Sequence, residues 1–133
     1  MRGGCLCGEV RYEIRGEPRS LTHCHCAMCR KAQGAAFATF IEISADDFQL
    51  VRGADRLVRY ASSPGSVRPF CPRCGSTLFF RTDAENEVWI AAGSLDGDAA
   101  IAPSVPRSHS YVASKAPWLH LADELPRFDG EVE

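Results

Sequence analysis

The chain has 133 residues, 45% hydrophobic and 24% charged, which provides for one domain with a packed core and argues against disorder. With 15 basic and 17 acidic residues the formal net charge is −2, so there is no basic footprint for nucleic acid or an anionic membrane. No apolar run approaches the roughly 18 residues of a membrane span, and Met1-Arg2-Gly3-Gly4 begins no signal-type apolar stretch, so a reducing, cytoplasmic setting is expected.

Taken in chain order, Cys5-Leu6-Cys7 has i, i+2 spacing, which puts both thiols on one face of an extended segment, and Gly8 permits a sharp turn after it. Val10, Tyr12 and Ile14 then alternate with charged residues, the period of a half-buried strand that ends at the turn Gly16-Glu17-Pro18. Ala27 to Gln33 predicts a short helix with Gly34 as its C-cap. Ala36 to Ile43 predicts a strand, and Ser44-Ala45-Asp46-Asp47 a single helical turn capped by Ser44. Phe48 to Val51, Leu57 to Tyr60, Thr77 to Arg81 and Val88 to Ala92 predict further short strands. Turn-like residues separate them at Arg52-Gly53, Ser63-Pro64-Gly65, Asp83 to Asn86 and Gly93 to Gly97. Phe79, Phe80 and Trp89 read as core. Residues 98–133, rich in Pro, Ser and small residues, predict an irregular wrap with room for one more strand. The expectation is a single all-β domain over 1–133, mainly antiparallel, with at most one or two short helices. Its core is modest enough for metal staples to supplement it.

The seven cysteines fall in clusters of two, three and two. In a reducing compartment thiols more often bind metal or do chemistry than form disulfides, and an odd count leaves one over. Cys71-Pro72-Arg73-Cys74-Gly75 has zinc-knuckle spacing, with Pro72 presetting the turn and Gly75 letting the chain bend. With Cys5 and Cys7 it completes a four-cysteine set whose metal would close the long loop between residues 7 and 71. A redox pair at the same spacing would open a helix in a βαβ unit, a context this sequence lacks.

The middle cluster, His23-Cys24-His25-Cys26-Ala27-Met28-Cys29-Arg30, packs three thiols and two imidazoles together. Cys29 falls in the first turn of the expected helix, where N–H groups and the helix dipole favour a thiolate. Ligand count leaves two readings open: a closed site with His23 or His25 as fourth ligand, or three thiolates with an open position. His25, alternating with Cys24 and Cys26, would point away, which leaves His23 or nothing. Three thiolates make zinc a poor Lewis acid toward water and a soft site suited to a substrate thiolate. His23, Arg30, Gln33 and His109 are candidates for a substrate pocket, Arg30 because guanidinium groups grip carboxylates in bidentate fashion. A solvated helix face is the plainer alternative for Arg30, and a polar loop for His109.

These motifs resemble the glutathione-dependent formaldehyde-activating enzyme (GFA) family. The matching residues are Gly4-Cys5-Leu6-Cys7-Gly8 with Val10 and Tyr12, His23 through Lys31, Phe70 through Gly75, and Gly93-Ser94-Leu95-Asp96, whose order and spacing match over about the first hundred residues, most of the chain. The resemblance implies a zinc-stapled β-tent fold with two zinc ions. Cys5, Cys7, Cys71 and Cys74 would hold a structural zinc, and Cys24, Cys26 and Cys29 a catalytic one with an open fourth position. It further implies a carbon–sulfur lyase that joins or parts glutathione and formaldehyde; the charge balance and the lack of an apolar span already argue against a nucleic-acid or membrane partner. The competing expectation is a non-enzymatic binding module in which both metals are structural.

Overall fold

Val10, Tyr12 and Ile14 set the architecture, because their alternation turns all three side chains to one side of a strand, where each is buried. The computed structural model describes residues 1–133. Strands β1 (Arg2–Gly4), β2 (Arg11–Ile14) and β5 (Phe48–Arg52) form a small antiparallel sheet in the order β1-β2-β5. A second, seven-stranded sheet contains β3 (Ser20–Cys24), β4 (Ala38–Ser44), β6 (Val58–Ser63), β7 (Ser66–Phe70), β8 (Phe79–Thr82), β9 (Glu87–Ala91) and β10 (Arg107–Ser110). Its order is β10-β3-β4-β9-β8-β7-β6, antiparallel except for the β10–β3 pair. The one α-helix, α1 (Ala27–Gln33), leads from β3 into β4. No helix is long and apolar enough to cross a membrane.

The larger sheet is apolar on both faces, and this places the two cysteine sites. On β4 and β9 the odd and even positions separate: Ile41, Ile43, Val88 and Ile90 face the small sheet and pack with Val10, Tyr12, Ile14, Leu78 and Phe79 in the main core. Ala38, Phe40 and Ala91 face the opposite way and pack with Cys24 and Cys29 in a second cluster. The period of two sends neighbouring residues to different environments. Cys5 and Cys71 border the main core, whereas the middle cysteines sit on the far face of the large sheet.

The expected helix forms over Ala27–Gln33, and Gly34 ends it in a left-handed conformation (φ 58°), its N–H donating to the Arg30 carbonyl. Four expectations need correction. Ser44 does precede a 3₁₀ turn, Ala45–Asp47, but its side chain makes no capping hydrogen bond. Phe80 and Trp89 are not in the main core; they are half-buried on the second face, beside Cys24 and Cys29. His109 lies on strand β10 and not in a loop, buried at 1% exposure. Strands β1, β3 and β7 were not anticipated, since each carries a feature that breaks a simple strand pattern: paired glycines, mixed polar positions, or Pro69.

Candidate metal centre

The chain ends of two hairpin-like turns build the first cysteine site. Cys5 to Gly8 closes with Gly8 N–H donating to the Cys5 carbonyl (3.1 Å), a turn that needs Gly8 at φ 82°. Cys71 to Gly75 closes the same way (2.7 Å), with Gly75 at φ 76°. The turns are stitched across by Leu6 N–H donating to Ser76 Oγ at 2.9 Å. Val10 N–H donates to Cys5 Sγ at 3.2 Å, and Ser76 Oγ lies 3.2 Å from Cys74 Sγ. The Ser76 hydroxyl first, then the backbone of Cys7 and of Ser76, hold the Cys74 thiol down to about 5.

All four sulfurs lie within 4.8 Å of one another. Two of the separations are Cys5–Cys7 at 3.6 Å and Cys7–Cys71 at 3.8 Å. Tetrahedral zinc–sulfur bonds of ~2.3 Å put sulfurs about 3.8 Å apart. The spacing and chemistry of this donor set therefore fit a zinc ion.

The second site is built where β3 runs into α1. Strand pairing with β4 and β10 fixes Cys24, and Cys26 is the N-cap residue of the helix, its sulfur accepting from Cys29 N–H at 3.2 Å. The sulfurs of Cys24, Cys26 and Cys29 all lie within 4.8 Å of one another. Hydrogen bonds from Cys24 and Cys29 pull the Cys26 thiol far below its ordinary value, with Cys29 N–H helping. The expected preference for a thiolate at Cys29 is not found: its N–H goes to the Cys26 cap sulfur, and the neighbouring Cys24 and Cys26 thiols push the Cys29 thiol up. Three thiols in this arrangement can hold a soft divalent metal.

No histidine joins that group. His23 Nδ1 is bound to Thr39 Oγ1 at 2.8 Å, and its ring packs against Phe37 and His109, with centroids 4.9 Å away in each case. His25 is fully buried, its Nε2 2.8 Å from His109 Nδ1, while His109 Nε2 meets Asp123 at 2.9 Å. Burial lowers the His25 ring to about 4, with His109 and His23 adding to the effect. The hydrogen bond to His109 holds the Asp123 carboxyl below its ordinary value. The three imidazoles form a cluster of their own, tied to the C-terminal segment by Asp123.

The remaining candidates are dispersed. Arg30 donates to the carbonyls of His25 (3.3 Å) and Ser114 (3.2 Å), and Gln33 Nε2 is buried with no partner. Two neighbours of the three-cysteine site escaped sequence reasoning. Arg68 donates to Cys29 Sγ at 3.5 Å, and Tyr111 packs beside the cluster with a left-handed backbone (φ 53°), the one non-glycine residue at positive φ. Neither carries a local sequence signal, because strand register brings them in from 39 residues beyond Cys29 in one case and from just after β10 in the other.

The family model for the glutathione-dependent formaldehyde-activating enzyme matches residues 1–114. A Schizosaccharomyces pombe protein named as an uncharacterized lyase is 33% identical over 96 residues, covering 71% of this chain and 68% of its own. A crystal structure of a Rhodobacter sphaeroides protein superposes with a TM-score of 0.63 at 26% identity, covering 81% of this chain and all of the other.

Proposed function

The chain belongs to the glutathione-dependent formaldehyde-activating enzyme family, and from that premise we propose that it is a zinc-dependent carbon–sulfur lyase. Its substrate would be a glutathione-type thiol, to which a small formaldehyde-like carbonyl is added or from which it is removed. Cys5, Cys7, Cys71 and Cys74 would hold a structural zinc, and Cys24, Cys26 and Cys29 a catalytic one. When bound by those three thiolates, zinc would lower the pKa of an incoming thiol and present its sulfur as a nucleophile. In the forward direction the thiol gives up its proton, a sulfur–carbon bond forms at the carbonyl carbon, and the carbonyl oxygen takes a proton; cleavage reverses these changes.

The single observation carrying this proposal is that three sulfurs converge with no histidine nitrogen in their group, His23 Nδ1 being held by Thr39 and His25 Nε2 by His109. A closed structural site normally has four protein ligands, and a catalytic one three. Phe80, Trp89 and Tyr111 pack half-buried around the cysteines and supply an apolar wall that limits water at the sulfurs. The rival function, a binding module with two structural metals, requires a fourth protein ligand here.

The test is to titrate glutathione into the zinc-loaded protein and follow zinc-edge X-ray absorption. A new sulfur ligand at millimolar thiol is expected. No change in sulfur count would refute a thiol substrate.

A further inference from the structure

Arg68 is a buried cation with no carboxylate partner. It is 7% exposed in β7, and none of the protein's ion pairs includes it. Its guanidinium carbon lies 4.8 Å from the Phe80 ring centroid, one terminal nitrogen donates to Cys29 Sγ at 3.5 Å, and Nε is buried without a partner. Burying a guanidinium away from an anion is among the costlier things a fold can do. The cation–π contact offsets only part of that cost.

Strand register explains how the group arrives there. Val67 pairs with Arg81, which sets Arg68 across from Phe80 on the sheet face that carries Cys24 and Phe40. Two acidic groups of that face, Glu42 and Glu87, are engaged by Arg19 at 3.7 and 3.0 Å. The three thiols are what remains for Arg68 to balance. A divalent metal held by three thiolates carries one net negative charge, and a substrate thiolate beside it would add a second.

Resting on the thiol-binding function proposed above, we propose that Arg68 is the counter-ion of the loaded three-cysteine site and its specificity-determining residue. It favours an anionic thiolate on the open side over a neutral ligand such as water or imidazole. Its hydrogen bond to Cys29 also withdraws electron density from that sulfur, so the metal accepts a further thiolate more readily. Lysine would keep the charge but not the planar fork over Phe80, so Arg68→Lys should retain most of the effect and Arg68→Met little.

The experiment uses cobalt(II)-loaded protein and reads the sulfur-to-cobalt charge-transfer absorption as glutathione is added. The four-cysteine site contributes a constant background. Wild-type protein should gain absorbance, R68K should bind glutathione within a few fold of wild type, and R68M should bind it roughly tenfold to a hundredfold more weakly. Imidazole binding followed by the cobalt d–d bands should not weaken in R68M. No gain in wild-type protein would sink the thiol-binding function itself, whereas equal binding by wild type and R68M would overturn only the role of Arg68. An R68K protein as weak as R68M would also overturn the charge-balance account. If R68M does not fold, the Arg68 Nε resonance of the wild-type protein decides, by ¹⁵N NMR: glutathione must shift it, and an unmoved resonance would overturn the role.

Discussion

Replacing Cys71 by alanine should unfold the protein under conditions in which replacing Cys26 leaves it folded. Cys7 and Cys71 are separated by 64 residues, and their sulfurs stand 3.8 Å apart. Treating the metal as a cross-link, closure of a loop that long removes about 4 kcal/mol of unfolded-chain entropy at 25 °C. That is a large part of the ~5–15 kcal/mol that holds a domain together, and for a chain of this size it corresponds to roughly 15 °C in Tm. Cys24 to Cys29 encloses only a helical turn already held by strand pairing, so the same calculation gives on the order of 2 kcal/mol at most. Cys26→Ala forfeits in addition the capping contact to Cys29 N–H, worth about 1 kcal/mol. The assay is thermal denaturation by circular dichroism on zinc-loaded proteins, with metal content measured in parallel. Cys71→Ala should lose the cooperative transition or a large part of its Tm; Cys26→Ala should keep a cooperative transition, lowered by roughly 10 °C at most, and lose metal from one site. Equal losses of stability would refute the assignment of one site to folding and the other to chemistry.

His23→Ala should leave metal content unchanged, since His23 is bound to Thr39 and lies outside the sulfur group; loss of one metal equivalent would establish it as a ligand. Tyr12 is buried, its hydroxyl 2.7 Å from Ser94 Oγ, and burial raises its pKa to about 12. A raised folded-state pKa favours the fold while the group is protonated, so this contribution is complete below the unfolded value of about 10 and disappears as pH climbs toward 12. Denaturant midpoints should therefore fall more steeply over that window in wild type than in Tyr12→Phe, and parallel profiles would count against it. Gly53→Ala should cost about 2 kcal/mol or more by urea unfolding. Gly53 sits at φ 74° and an added Cβ would meet the Glu9 carbonyl at 2.2 Å; an unchanged midpoint would contradict this.

Much of the site could be read from spacing because its parts are local. Cys5 and Cys7, Cys71 and Cys74, and Cys24, Cys26 and Cys29 each lie within one turn, and glycines at Gly8, Gly34 and Gly75 adopt the left-handed geometry that closes those turns. The strand of Val10, Tyr12 and Ile14 was legible for the same reason, a period of two over a few residues. What escaped depends on long-range register. Ser66 to Phe70 contains Pro69, whose missing donor argues against a central strand, yet β7 forms between β6 and β8 and delivers Arg68 to Cys29. His109 reads as a polar stretch; parallel pairing with β3 buries it, and His25 and Asp123 satisfy its two ring nitrogens.

Residue types and their local spacing were thus sufficient to mark the cysteine groups, the short helix and the β class, since turn geometry acts within a few residues. Where His23 sits relative to the middle three cysteines was decided only in three dimensions. Strand β3 turns Cys24 to one face of the large sheet and His23 to the other, and Thr39, on the neighbouring strand β4, takes the His23 nitrogen. Sheet pairing across the whole chain determines which face is which, and no short stretch of sequence contains that information.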